Sequence, residues 1–244
     1  MYKKSVILLG VLSLLLVSSC SDDDNPVFPE QVTGSGDLIT EERTLSEFHS
    51  VDLLTVGVVR LTSAAEQSVS ITVDDNVMQY IVTTVVNGEL RISSDPSVSL
   101  TNFDLTVNLA MTDLESLTLS GVGTIISLSQ FEVDSLDIVL SGVGNITMGL
   151  QADYLMTSLS GVGSLNLNGA VAYHDCLHGA VGSISSFPLI SDTTIAILSG
   201  VGSAEVYVND TLDVTISGSG SLYYKGEPVV VENISGTGQV IDAN

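Results

Sequence analysis

With 244 residues, of which 29 are Asp or Glu and only 6 are Lys or Arg, the chain carries a formal net charge of −23 at pH 7. That balance excludes nucleic acid as a partner, because such binding depends on neutralising phosphates with Lys and Arg. Two cysteines and three histidines give neither a disulfide framework nor a Cys-rich metal centre, so no metal and no cofactor are expected.

The first segment is a targeting signal. Lys3 and Lys4 precede an apolar run from Val6 to Val17, then the small residues Ser18 and Ser19, then Cys20; residues 1–19 therefore read as a secretory signal peptide. The run is shorter than the roughly 20 apolar residues of a membrane-crossing helix. Val17-Ser18-Ser19-Cys20 resembles a bacterial lipobox, which implies acylation of Cys20 and an anchor in the membrane. Ser21-Asp22-Asp23-Asp24 resembles the acidic tag that sends lipoproteins of some Gram-negative bacteria to the outer face of the outer membrane. Residues 20–36 read as this tag and a flexible tether, because Pro26, Pro29, Gly34 and Gly36 fall in a stretch without apolar periodicity.

Residues 37–115 hold short β-type runs at 51–61, 68–73, 81–86, 89–93 and 103–109. Asn87-Gly88 between two of them is a strong hairpin signal, and residues 74–80 support at most one helical turn. This half is β-rich, with no clear repeat.

Residues 116–244 repeat. The tetrapeptide Ser-Gly-Val-Gly or a close variant places its second glycine at Gly123, Gly144, Gly163, Gly182, Gly202, Gly220 and Gly238, with spacings of 21, 19, 19, 20, 18 and 18 residues. Its first glycine falls at Gly121, Gly142, Gly161, Gly200, Gly218 and Gly236. A period near 20 is that of a solenoid. An apolar-x-apolar strand precedes most corners, and a small polar residue followed by an aliphatic one comes after, as in Thr124-Ile125 and Asn145-Ile146. Each unit is then strand, tight corner, strand, with one face turned inward. Stacking closes a continuous core with coils about 4.8 Å apart, so seven coils stand about 34 Å tall. The glycines are expected at corners that need φ > 0, and the serines before them can form a hydroxyl ladder. The fourth copy, His178-Gly179-Ala180-Val181-Gly182, either replaces Ser-Gly by Gly-Ala or inserts a residue. Whether Leu177 or His178 faces inward stays open.

Phe48 before a Val/Leu strand, the turn Asp74-Asp75-Asn76, the segment Asn87-Gly88-Glu89-Leu90-Arg91-Ile92, the SG-x-G series and Tyr224-Lys225-Gly226-Glu227-Pro228 together resemble the family called putative auto-transporter adhesin, head GIN domain, a domain of unknown function. The resemblance covers about 40 to 240. It implies a secreted or lipid-anchored right-handed parallel β-helix, and it brings no catalytic residues.

The residues themselves offer little chemistry. No Gly-x-Gly copy continues into a phosphate loop, and each is followed by strand rather than helix. Calcium-binding β-rolls need an Asp where Thr, Asn or Ser stand here. The four basic residues left after the signal peptide are scattered, His49, His174 and His178 lack metal spacing, and Cys176 reads as a small buried apolar residue. Asp134-Ser135-Leu136, Asp192-Thr193-Thr194 and Asp210-Thr211-Leu212 resemble an O-glycosylation motif of exported bacterial proteins. If the second residue after each glycine points inward, its neighbours point outward and align Ser183/Ser185/Phe187, Ser203/Glu205/Tyr207 and Ser221/Tyr223/Lys225. Phe187, Glu205, Tyr207, Tyr223 and Lys225 then form a strip of rings beside polar groups that suits contact with a glycan or a protein.

The sequence therefore predicts a lipid-anchored, surface-facing all-β solenoid that binds or adheres without catalysis. A β-helix carbohydrate-active enzyme and a self-associating envelope component are the alternatives. The oligomeric state is open.

Overall fold

The computed structural model describes residues 29–244; Cys20, Ser21, Asp22, Asp23 and Asp24 lie outside them. The early strands are β1 (Glu30–Thr33), β2 (Leu38–Glu42), β3 (Ser50–Leu53), β4 (Val56–Ser63), β5 (Ser68–Asp74), β6 (Ile81–Val86), β7 (Glu89–Ser94), β8 (Val98–Thr101) and β9 (Thr106–Met111). The repeat supplies β10 (Ser116–Leu119), β11 (Val122–Leu140), β12 (Val143–Leu159), β13 (Val162–His178), β14 (Val181–Leu198), β15 (Val201–Ile216), β16 (Ser221–Lys225), β17 (Val229–Ile234) and β18 (Val240–Asp242). Among the described residues the only helical piece is a 3-10 turn, Met78–Tyr80, within the stretch where a single turn was expected.

The long strands stack in parallel to form a β-solenoid with two walls. Coil β12 shows how one strand serves both. Ile146, Met148, Leu150 and Ala152 point into the core from the front wall, and Leu155, Thr157 and Leu159 point in from the back wall. The inward parity switches between Ala152 and Leu155, where exposed Asp153 and Tyr154 turn the bend. Alternation buries one side of each wall, and the register carries it from coil to coil: Ile125, Ile146, Leu165, Ile184, Ala204 and Leu222 form one buried column.

The early half joins the same stack, which its sequence did not reveal. β3 pairs in parallel with β10, and β4 with the start of β11, so that Val56 meets Val122 and Gly57 meets Gly123. Leu54-Thr55-Val56-Gly57 is thus one more corner, with Thr55 in place of the first glycine. β7 and β9 extend the two walls below β3 and β4. Antiparallel strands then close that end: β6 on β7, and β5 followed by β2 on β9. The β6–β7 hairpin turns on Asn87 and Gly88, both at positive φ, as expected. Glu30–Thr33, read as tether, forms β1 and pairs in parallel with β8. At the other end β17 is an edge strand, with Glu232 opposite the inward-facing Val214 of β15. A carboxylate in the core register of an edge strand discourages addition of another coil.

The corners explain the glycines, with two corrections. Gly123, Gly144, Gly163, Gly182 and Gly202 have φ between +142° and +157°, a region essentially reserved for glycine. Gly220 and Gly238 do not, because β16 and β18 start only after the corner. Close approach is the more general cause: a Cβ on Gly144 would lie 1.8 Å from the Gly123 carbonyl oxygen, and one on Gly142 would lie 2.0 Å from that of Gly121. The expected serine hydroxyl ladder is absent: no hydrogen bond joins the hydroxyls of Ser120, Ser141 and Ser160, and backbone N–H groups tie the corner instead. Ser141 and Gly142 both donate to Leu119 O, and Val143 donates to Gly121 O.

The fourth corner is a substitution, not an insertion. His178 aligns with Leu159 and Leu198, is buried, and hydrogen-bonds the Gly182 carbonyl through Nε2 at 3.0 Å. Ala180 takes the first-glycine place. Its side chain cannot sit where glycine sits, and this corner keeps only the bond from Gly179 N to Leu159 O; no counterpart of the Gly142 or Val143 bond forms.

Candidate functional site: an uncharged front face beside a projecting ring

Nearest the corner, the outward positions of the front wall form three columns in strict register. Val56, Val122, Val143, Val162, Val181 and Val201 make an exposed ridge along the corner. Thr124, Asn145, Ser164, Ser183, Ser203 and Ser221 make the second column, and Ile126, Thr147, Asn166, Ser185, Glu205 and Tyr223 the third. From β11 to β14 no position in these columns carries a charge. In a chain of net charge −23 that makes the face distinct. The Ser164 hydroxyl donates to Asn145 Oδ1 at 2.6 Å, and Asn166 Nδ2 donates to Ser164 Oγ at 3.3 Å. Thr147, Ser183 and Ser185 have no protein hydrogen-bond partner for their hydroxyls among the described residues.

The strip predicted from the sequence belongs to this face, with one correction. Glu205 follows Ser185 and precedes Tyr223, as expected, and Tyr207 pairs with Lys225. Phe187 does not pair with Tyr207, because β14 carries extra residues between Ser186 and Ile190 and Tyr207 is matched to Ile190 instead. Phe187-Pro188 bulges outward there, where a proline without an N–H costs no ladder bond. The projection walls a cavity of about 350 Å³ lined by Thr147, Asn166, Asn168, Ser185, Phe187 and Glu205, within the size range of small-ligand sites. Lys225 reaches across two coils and holds its Nζ 4.6 Å from the Phe187 ring centroid, a cation–π contact that fixes the ring. Thr147, Asn166 and Asn168 were not singled out from the sequence. The signal existed, since each lies at an outward position of the same period.

A larger cavity of about 460 Å³ lies near the capped end, between Glu47, Phe48, His49, Glu66, Gln67 and Asp113. Its wall is occupied with holding the chain: Gln67 accepts from Phe48 N and donates to Ser46 O. His49 Nδ1 stands 2.7 Å from Glu115 Oε2. Among the described residues no three His, Cys, Asp or Glu side chains come together as a metal site.

Thr157, His174 and His178 are buried polar residues facing the lumen. His174 is enclosed, with Nε2 2.9 Å from the Thr157 hydroxyl, and burial pushes its pKa down to about 4. Cys176 is free and fully buried, as expected, and burial pushes its thiol up to about 12, which makes it unreactive. At the capped end Asp74 accepts from Asp104 N at 3.0 Å and Gly36 N at 2.6 Å, and these bonds hold its carboxyl below the usual range.

The fold recurs in solved structures. A Bacteroides fragilis protein described as a putative adhesin matches with TM-score 0.75 and 24% identity over 86% of this chain and 98% of its own. A putative adhesin of Parabacteroides distasonis matches with TM-score 0.66 and 21% identity, over 86% and 99%. A further protein of that species, described as a putative lipid binding protein, matches with TM-score 0.69 and 22% identity, over 87% and 100%. No curated protein matches the chain. The family model described as "Putative auto-transporter adhesin, head GIN domain" matches residues 47–228, and the chain belongs to that family.

Proposed function

We propose that the chain is a binding or adhesion module without catalytic activity, held by acylated Cys20 at the outer face of the outer membrane and contacting its ligand through the front wall. The observation that carries this reading is the uncharged, regularly repeated face with unpaired hydroxyls, bordered by the Phe187-Pro188 projection. Family membership supports a role at the cell surface. The solenoid gives the face rigidity, since its backbone groups are paired from coil to coil and little ordering is needed on contact. Glu232 in the core register of the edge strand counts against self-association through the end coils.

The test is an array of polysaccharides and extracellular matrix proteins probed with the full chain. The expected result is retention without product release. Phe187→Ala and Tyr223→Ala should each weaken retention by about 1–3 kcal/mol, the range for truncating a substantial contact residue, with unchanged far-ultraviolet dichroism. Released products, or retention at full strength after both changes, would overturn the reading.

A further inference from the structure

We infer that the ligand of the front face is a linear, uncharged glycan lying along the stacking axis, about one sugar ring per coil. This rests on the binding reading above and names its ligand class. Coils β12 to β14 present the same row, a valine followed by two short outward hydroxyl or amide side chains, and β11 departs from it only at Ile126; the register repeats that row at about 4.8 Å, close to the length of one pyranose unit. A periodic surface multiplies its contacts only with a ligand of matching period, whereas a folded protein offers one patch that does not repeat.

The chemistry agrees with the period. Thr147, Ser183 and Ser185 offer hydroxyls without protein partners, and Asn166 keeps a free carbonyl oxygen. Hydroxyls and amides both donate and accept, as sugar hydroxyls do. The valine ridge suits the C–H faces of the rings, and Phe187 at the edge provides an aromatic wall. Charge narrows the class. The overall field of a −23 chain repels an anionic polysaccharide, and from β11 to β14 the three columns contain no carboxylate to receive a basic peptide.

The experiment is calorimetric titration of the detergent-solubilised full chain with neutral xylo-, manno- and gluco-oligosaccharides of two to eight units, with polygalacturonate and polylysine as charged probes. At least one neutral series should bind with affinity that rises at least tenfold from two to four units and then levels as the ligand outgrows the four uncharged coils. The double variant Asn166→Ala/Ser185→Ala should lower the six-unit affinity at least tenfold without moving the urea midpoint. Four results would overturn the inference: no binding by any neutral series, affinity independent of length, preference for a charged probe, or sedimentation showing that a second copy covers the face. If the array still retains the chain in a Phe187-dependent way while the oligosaccharides neither bind nor compete, the glycan assignment fails and the binding reading stands. If nothing is retained, both fail.

Discussion

Replacing Gly144 by alanine tests the corner physics most sharply, because this chain supplies its own control. A Cβ at Gly144 would lie 1.8 Å from the Gly123 carbonyl oxygen and 2.8 Å from its carbon, at φ +144°. Backbone held in that region costs a non-glycine residue about 1–3 kcal/mol. The overlap adds to this, since the corner must shift to relieve it; at Ala180, which carries a Cβ at the first-glycine place, two inter-coil hydrogen bonds are missing. Two such bonds at about 0.5–1.5 kcal/mol each bring the expected loss to about 2–6 kcal/mol. At Gly179 a Cβ would meet nothing closer than 3.6 Å, so Gly179→Ala should stay within about 0.5 kcal/mol of wild type, as surface changes do. Val143→Ala, at a half-exposed position, should cost less than Gly144→Ala. Urea unfolding followed by dichroism reads all three. A Gly144→Ala midpoint indistinguishable from that of Gly179→Ala would refute the reasoning.

The remaining predictions concern protons and the anchor. The folded-state pKa of His174, about 4, lies below the usual 6.5, so the unfolded chain binds more protons between these values and stability should fall as pH drops from 6.5 to 4, by about 2–4 kcal/mol at 1.36 kcal/mol per unit. His174→Leu, matching Leu155 in the column, should remove that fall in urea titrations at pH 7 and pH 4.5; an unchanged fall would show that another group is responsible. Asp74 has the same sign in a more acidic window: its lowered pKa gives stability that is present above the ordinary carboxylate pKa and lost as pH falls through the folded value. Asp74→Ala should therefore destabilise the protein at pH 7 by about 1–3 kcal/mol through the unpaired Asp104 and Gly36 N–H groups, with a smaller deficit at pH 2, and equal deficits at both pH values would contradict this. Cys20→Ala should move the chain from the detergent phase to the aqueous phase on partitioning, and persistence in the detergent phase would remove the anchor from the account.

The solenoid half was legible because one constraint recurs in every coil. The second glycine sits at the same corner with the same carbonyl behind it, and an inward aliphatic residue follows two places later. The early half was not legible because Thr55 replaces the first glycine, Val58 replaces the small polar residue, and the next coil down is split between β7 and β9 with a long excursion between them. Its registers are set by pairing with β10 and β11, a tertiary fact. The outward columns could be read from parity, which placed Glu205, Tyr223, Tyr207 and Lys225 correctly. Phe187 was misplaced because extra residues in a strand shift the register without a local signature other than Pro188. Gly220 and Gly238 were read as positive-φ corners by analogy with the others; Gly238 retains glycine for space, since a Cβ there would lie 1.8 Å from the Gly220 carbonyl oxygen, whereas one on Gly220 would meet nothing closer than 3.2 Å.

The central claim is that the uncharged front wall is the contact surface. Adhesion of cells displaying the full chain to a surface coated with the array ligand tests it directly, comparing Asn166→Arg/Ser185→Arg on the front wall with Tyr173→Arg at the bend between the walls, where Tyr173 pairs with Tyr154 and is 58% exposed. The front pair should abolish adhesion while the change at the bend leaves it intact, with equal amounts of folded protein on the cells. Adhesion that survives the front pair, or is lost equally with Tyr173→Arg, would contradict it.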